Sequence, residues 1–446
     1  MKKVLLLFVI AGIALLGAQT AAYYPTTTLV ENFGASWCAA CAFAQQGLDV
    51  IESEVNDSEI IIPRLLTESG PYSNPEMDAR FQYYNVLGFP AVIFNGKIRV
   101  NGSDEPVMDG SLYREALNQF RYLGSPLKMT VESFDHNSGD YSFKVSMVND
   151  EIAIEDANVV FYLVENDLPE ELNRIVRAVQ SQPISIAGAG NEQLFSFNLE
   201  PDPGWNPANL WATAFVQLPT NTILQSVSTL PQPEHQIRVA VPFDLKIEAD
   251  ETGDIFSPYF HVYNLGAAST LNIHVEIHDA PGDWYINYCD EDGACLPGSM
   301  TIPHPVAANG HKTFDLNIQA GSEGRASFDF VIEAAGAEPY RIPFELVVGD
   351  VSNDDPVAVP AAISVSRAWP NPFRDRLSFE VQSQKAGAST DIAIYNARGQ
   401  KVSTLKLDNL QQGLNQVSWE AGDLPAGVYF YKAAAGAKSG KILRIR

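Results

Sequence analysis

The sequence is poor in cations, in cysteine and in long apolar runs, and each scarcity removes a class of function. Against 54 Asp and Glu stand 29 Lys and Arg, a net charge of −25, so the chain lacks the basic surface that phosphate contacts need and no nucleic-acid partner is expected. The same charge repels anionic membrane surfaces and favours solubility. Beyond an apolar run at Val4–Leu16, no stretch nears the ~18–20 consecutive apolar residues of a membrane span, and none is expected in the mature chain. There is no HExxH, no GxSxG elbow, no phosphate-binding loop and no dinucleotide fingerprint, so several common catalytic chemistries lack their motif. None of the seven histidines lies between residues 23 and 125, and no cofactor or metal is expected.

What is present begins with Lys2 and Lys3, the apolar run, and small residues ending near Ala22. This layout reads as a secretory signal peptide over residues 1–22. It holds no cysteine that could carry lipid, so the mature chain is expected to be exported and then secreted or held at the cell surface. Export places Cys38, Cys41, Cys289 and Cys295 where disulfides persist. The 446 residues suffice for two to four domains. Residues 361–446 carry 12 basic and 6 acidic residues, which leaves −33 on residues 23–360 and sets the C-terminal part apart as a module with its own task.

Hydrophobic periodicity predicts strand Thr26–Phe33, helix Cys38–Val55, strand Glu59–Leu66 and helix Asn74–Leu87. A hairpin at Ala91–Phe94 and Lys97–Val100 turns on Asn95-Gly96, and a last helix runs over Asp109–Tyr122. Short alternating strands follow, giving a β domain over 126–233 and a β-sandwich of immunoglobulin or fibronectin type over 234–350. A polar linker spans 351–362 and a small β-sandwich fills 363–446. The expected class is thus multidomain, with an α/β domain over 23–125 ahead of all-β domains.

Cys38 ends a strand-to-helix turn, where free amides and the helix dipole favour a thiolate. Two residues separate it from Cys41, the spacing of a disulfide across the first helical turn. Gly34-Ala35-Ser36-Trp37-Cys38-Ala39-Ala40-Cys41, with Gly88-Phe89-Pro90 ahead of the strand Ala91–Phe94, resembles the thioredoxin superfamily over residues 23–125. The resemblance implies Cys38 as attacking thiolate, Cys41 as resolver, a cis Pro90 packed on the disulfide, and protein thiols or disulfides as partners. Six residues before Cys38, where thioredoxin carries a buried carboxylate, this chain has Asn32. The neighbouring Glu31 belongs to the opposite face of the strand. The other readings of the pair are a structural disulfide and half of a zinc site.

Cys289 and Cys295 bracket a short acidic loop with no helix start, and read as a structural disulfide. His274-Val275-Glu276-Ile277-His278 places three potential ligands on one strand face, a pattern also given by a solvated face. The predicted hairpin at 210–228, behind the WCxxC region, is similar to a family of bacterial outer-membrane-associated proteins in which a WCxxC domain precedes a β domain. At the C-terminus, Trp369-Pro370-Asn371-Pro372-Phe373, Ile394-Tyr395-Asn396 with Gly399-Gln400, Leu424-Pro425-Ala426-Gly427-Val428-Tyr429 and Gly440-Lys441-Ile442-Leu443-Arg444 resemble the type IX secretion sorting domain. That resemblance implies an outer-membrane type IX translocon as partner and export via the periplasm of a Gram-negative bacterium. Taken together, the sequence reads as a secreted or cell-surface thiol–disulfide oxidoreductase; the alternative is a non-enzymatic binding or adhesion protein with a structural Cys38–Cys41 bridge.

Overall fold

The computed structural model describes residues 22–55, 58–67, 72–169, 172–200, 202–233, 236–349 and, towards the C-terminus, 363–369, 373–383, 387–396, 401–411, 413–422, 424–425, 427–433 and 439–444. Residues 1–21 of the expected signal peptide and the whole linker lie outside them. The chain is a mostly β, multidomain protein that divides at Val351/Ser352 into two units.

The first unit opens with β1 (Tyr24–Pro25), β2 (Thr28–Ala35), α1 (Ala39–Ser53), β3 (Ile60–Ile61), β4 (Arg64–Thr67), α2 (Pro75–Tyr83), β5 (Ala91–Phe94), β6 (Ile98–Asn101), α3 (Glu105–Met108), α4 (Ser111–Asn118) and β7 (Gly124–Ser125). It continues through β8 (Leu127–Asp135), β9 (Asp140–Met147), β10 (Ala153–Glu165), β11 (Ile175–Ala187), β12 (Glu192–Asn198), β13 (Leu210–Gln217) and β14 (Ile223–Ser228). Alternate residues of β2 feed two cores. Val30 joins α1, α3 and α4 on one side, while Leu29 and Phe33 join α2 and Tyr162, Val176, Trp211 and Phe215 on the other.

The boundary expected at 125/126 does not separate two sheets. One nine-stranded sheet runs β14-β13-β10-β11-β4-β2-β5-β6, with β3 beside β2. Its halves meet where Ile175 lies opposite Arg64 and the Arg64 amide donates to the Arg174 carbonyl at 2.7 Å. β8, β9 and β12 form a second sheet that covers β10 and β13 over one apolar core.

Local departures from expectation have simple causes. Cys38 caps α1 instead of belonging to it, and α2 stops at Tyr83. The helix expected over Asp109–Tyr122 is shorter, α4 over Ser111–Asn118, and Gly110, whose φ of +76° lies outside the helical region, separates it from α3, which lies before the expected span. Pro63 splits the strand expected at Glu59–Leu66 into β3 and β4.

Two further sheets enclose a single apolar core over residues 237–348. Their strands are β15 (Ile237–Ala240), β16 (Lys246–Ala249), β17 (Gly253–Phe256), β18 (Phe260–Asn264), β19 (Ser269–Asp279), β20 (Trp284–Asp290), β21 (Cys295–Pro297), β22 (Ile302–Val306), β23 (His311–Ala320), β24 (Gly324–Glu333) and β25 (Tyr340–Val348). One sheet runs β15-β18-β23-β20-β21 with β17 beside β23; the other runs β16-β25-β24-β19-β22. Glu59 fastens this region to the first: it accepts from Arg121 at 2.7 Å and from the Tyr340 hydroxyl at 3.1 Å. Arg238 adds a bond to the Thr26 carbonyl at 2.8 Å.

Burial holds His304, behind Tyr288, and His136, beside Tyr141, below the ordinary 6.5, because desolvation penalises the charged ring. Protonation therefore favours the unfolded chain, and stability should be full above pH 6.5 and decline as pH falls through it. Urea midpoints at pH 7.5 and 6.0 should differ in that sense, by less in His304→Gln. Asp315, raised from 3.8 by burial, works in the opposite direction from a lower starting pH. A midpoint higher at pH 6.0 than at 7.5 would contradict the assignment.

The second unit comprises β26 (Ile363–Trp369), β27 (Arg376–Ser383), β28 (Ala388–Asn396), β29 (Lys401–Leu410), β30 (Gly413–Glu420), β31 (Gly427–Ala433) and β32 (Ser439–Arg444). Its sheets, β26-β27-β30 and β29-β28-β31-β32, share one core that includes Phe373, Phe379, Ile394, Trp419, Tyr429 and Ile442. Among the described residues no helix is long and apolar enough to cross a membrane.

Candidate functional site

β2 is buried along its whole length and delivers the chain to the surface at Ser36-Trp37, where α1 begins. Cys38 sits at the N-cap in extended conformation and is bonded to Cys41. Its Sγ also accepts the Cys41 amide at 3.1 Å, so the group that leaves or attacks at Cys38 faces a free end of the helix. Cys38 is half-buried and Cys41 is 2 % exposed. Gly34 makes that burial possible, because a Cβ there would come within 3.1 Å of the Cys41 Sγ.

Pro90, buried behind a cis Phe89–Pro90 bond, immediately precedes β5, which runs beside β2. Phe89 makes edge contacts with Trp37 at 6.1 Å and Phe81 at 5.7 Å between ring centroids. Trp37, next to Cys38, is 66 % exposed and presents an apolar surface beside the bridge. On the other side an open cleft is lined by Trp37, Cys38, Gln45, Asp49, Arg64 and Leu172, among others.

Beneath the bridge the polar groups are amides. Asn32, 1 % exposed, donates to Gln45 at 3.2 Å, and Gln45 donates to Asp49 at 2.8 Å. Asp49 and Glu52 are both held by Arg174, at 3.3 and 2.5 Å. Glu31 lies on the opposite face of β2, fully buried, where it accepts from Arg80 at 2.7 Å, Tyr84 at 2.6 Å and Tyr162 at 2.5 Å. Burial and the adjacent carboxylate push the Tyr84 and Tyr162 hydroxyls well above the usual tyrosine range, so both remain donors.

Sequence reasoning missed Gly34 as a packing position and Arg64 as a cleft residue. The signal for Arg64 was a lone cation in the apolar run Ile60–Leu66.

Cys289 and Cys295 are bonded and lie directly opposite each other in the hairpin β20–β21. In the HVEIH segment Glu276 is held by Arg341 at 2.5 Å and His278 by Asp329 at 3.2 Å. Among the described residues no group of three or more His, Cys, Asp or Glu is placed to hold a metal.

In the second unit the described sorting residues lie on one sheet. Tyr395 and Asn396 close β28, with Asn396 opposite Tyr429. Gly427 opens β31, and Gly440 and Lys441 lie on β32 opposite Tyr431 and Phe430. Tyr429 is buried and donates to the Pro425 carbonyl at 2.6 Å. Arg444, from the last strand, donates to the carbonyls of Arg374 at 2.8 Å, Gly422 at 2.9 Å and Leu424, closing the turn before β31. Pro370, Asn371, Pro372 and Gly399 lie outside the described residues.

Residues 367–444 match the family described as the secretion system C-terminal sorting domain. This is the sorting domain of type IX secretion, and it marks the protein as secreted or cell-surface, from a bacterium of Bacteroidetes type. No curated protein matches the chain. Among solved structures, HBP35 of Porphyromonas gingivalis is similar at 10% identity and a TM-score of 0.39, over 73% of this chain and 99% of that one. Dimeric latent PorU from Porphyromonas gingivalis is 13% identical over 72% of this chain and 34% of that one, with a TM-score of 0.18. The N-terminal domain of PorA is 16% identical over 25% of this chain and 97% of that one, also at 0.18.

Proposed function

We propose that this type IX-secreted protein is a thiol–disulfide oxidoreductase with a thioredoxin-like region over residues 23–125. Cys38 is the reacting sulfur, Cys41 the resolving sulfur, and Pro90 shapes the groove for a protein thiol or disulfide. The Cys289–Cys295 bridge of the β-sandwich region at 234–350 is structural, and the unit at 363–446 is the part an outer-membrane translocon recognises. The observation that carries the reading is the asymmetry of the bridge. Cys38 is accessible at the N-terminus of a 15-residue helix and its sulfur already receives an amide, while Cys41 is shielded above Gly34. That is the arrangement in which an incoming thiolate meets one sulfur and the helix stabilises the charge.

A second reading, a binding protein with an inert bridge, is favoured by one observation. The buried polar group at the carboxylate position is the amide of Asn32, engaged with Gln45, and cannot take a proton from Cys41.

Equilibrating the full chain in thiol redox buffers separates the two. Exchange chemistry predicts that the Cys38–Cys41 bridge opens within the roughly −270 to −120 mV range of redox proteins. The freed Cys38 thiol should titrate below about 8.5, a signal absent from Cys38→Ser. A bridge still closed below about −300 mV would transfer the function to the β regions.

A further inference from the structure

One charge in the cleft beside Cys38 is unanswered. Arg64 projects from β4, next to Asn32 of β2, and lines the same cleft as Trp37 and Cys38. Its guanidinium makes no hydrogen bond and no ion pair with any described residue, and its Nε is buried without a partner. Burial alone lowers its affinity for the proton, with no carboxylate offsetting the cost. The other charged side chain lining the cleft, Asp49, is taken by Arg174 and Gln45. Glu52, one turn further along α1, is taken by Arg174 as well. Among the described residues the cleft therefore holds one uncompensated positive charge, on a unit that is otherwise strongly acidic. Elsewhere in that unit Arg80 and the half-buried Arg121 each face a carboxylate, and the buried Arg238 is held by the Ser58 and Thr26 carbonyls. A guanidinium left without an anion gains nothing for folding, because desolvation of an unpaired charge is unfavourable.

We infer that Arg64 is the anion subsite of this cleft, and that the thiol partners which react at Cys38 carry a carboxylate close to the reacting sulfur. The inference rests on the exchange reading above and names its substrate class. The partner's carboxylate pairs with Arg64 in fork geometry, while its thiolate attacks the Cys38 Sγ. The Cys38–Cys41 bond breaks, Cys41 leaves as thiolate and takes a proton from solvent, and a mixed disulfide forms. A second partner thiolate then attacks the partner's sulfur in that mixed disulfide. Cys38 departs as thiolate, the partner is left as a disulfide, and two electrons have passed to the protein.

The test compares three thiols with the oxidised full chain: glutathione, which is anionic, 2-mercaptoethanol, which is neutral, and cysteamine, which is cationic. Each rate is taken as the ratio of wild type to Arg64→Gln, so that intrinsic thiol reactivity cancels. Glutathione should slow about fivefold or more, the neutral thiol less than twofold, and cysteamine should hold or accelerate. Arg64→Lys should recover most of the glutathione rate. Because the guanidinium makes no hydrogen bond or ion pair with a described residue, Arg64→Gln should melt no lower than wild type. Equal slowing of all three thiols would overturn the inference by assigning Arg64 to the sulfur instead of the substrate, and so would no change in any.

A bridge inert to every thiol would remove the exchange reading itself. The subsite is then decided by S-methylglutathione, an unreactive anion, titrated against the Trp37 indole resonance. Binding lost in Arg64→Gln sustains the anion subsite, and the absence of binding to wild type ends it.

Discussion

Replacing Arg80 with alanine should destabilise the 22–349 unit by about 3–5 kcal/mol, the cost of stranding a buried charge. Glu31 is fully buried and Arg80 nearly so. The guanidinium donates to Glu31 at 2.7 and 3.2 Å, to Gln217 at 2.8 Å and to the Tyr84 hydroxyl at 3.2 Å. It also lies over the rings of Tyr83, Tyr84, Tyr162 and Phe215, at 4.9 to 5.7 Å. Without Arg80, the Glu31 carboxylate keeps only neutral donors in an apolar core and prefers to bind a proton. The deficit should therefore shrink as pH falls from 7 towards 5, because protonation then favours the folded variant. Glu31→Gln, which keeps an acceptor and removes the charge, should cost less than Glu31→Ala. Denaturant midpoints at two pH values check both statements, and a loss below about 1 kcal/mol for Arg80→Ala would refute the role assigned to the pair.

Gly47→Ala should be of comparable severity, about 3 kcal/mol, although alanine is the better helix former. A Cβ at position 47 would stand 1.8 Å from the Val107 carbonyl oxygen and 3.1 Å from the Tyr113 ring. Propensity returns about 1 kcal/mol, but overlap with backbone cannot be relieved by a rotamer change, and α1 must move away from α3 and α4. Because α1 carries Cys38 and Cys41, a shifted helix should also alter the reactivity of the bridge. Gly88→Ala is the control, since nothing lies within 4 Å of its Cβ position and its effect should stay within about 0.5 kcal/mol. Equal midpoints for the two variants would show that the helices have room to spare.

The features legible in the sequence are those written within a few residues of one another. The start of α1 at Cys38, the Asn95-Gly96 hairpin and both disulfides are of this kind. So are the C-terminal motifs, several of which meet on the sheet of β28, β31 and β32. What sequence reading could not supply depends on distant partners. The sequence places Glu31 on the face of the strand opposite Asn32, but its partners there appear only when Tyr162 and Gln217 arrive from β10 and β13 to close the network around it. β11 escaped notice because Pro183 and its Gln and Ser residues break the expected pattern. Its Pro183 segment pairs with β10 alone, so the missing amide costs no second ladder bond. Arg64 carries meaning only once the cleft shows that no carboxylate of the described residues answers it.

The shared core and the long-range bonds of the first unit also bear on when the chain can fold. Thr27 is held by Gln225, Thr26 by Arg238 and Glu59 by Tyr340. Phe33 and Met77 are covered by side chains from Tyr162 to Ile223. Residues 22–125 thus reach their final burial only after some two hundred further residues have arrived. A chain emerging N-terminus first cannot finish its leading region early, and contacts of such sequence separation make for slow folding. Until they form, the apolar face around Phe33 stays open to self-association. The Cys38–Cys41 bridge, closed within four residues, can form long before the lobe around it is complete, so early in folding it stands in a far more open setting than the one it finally occupies.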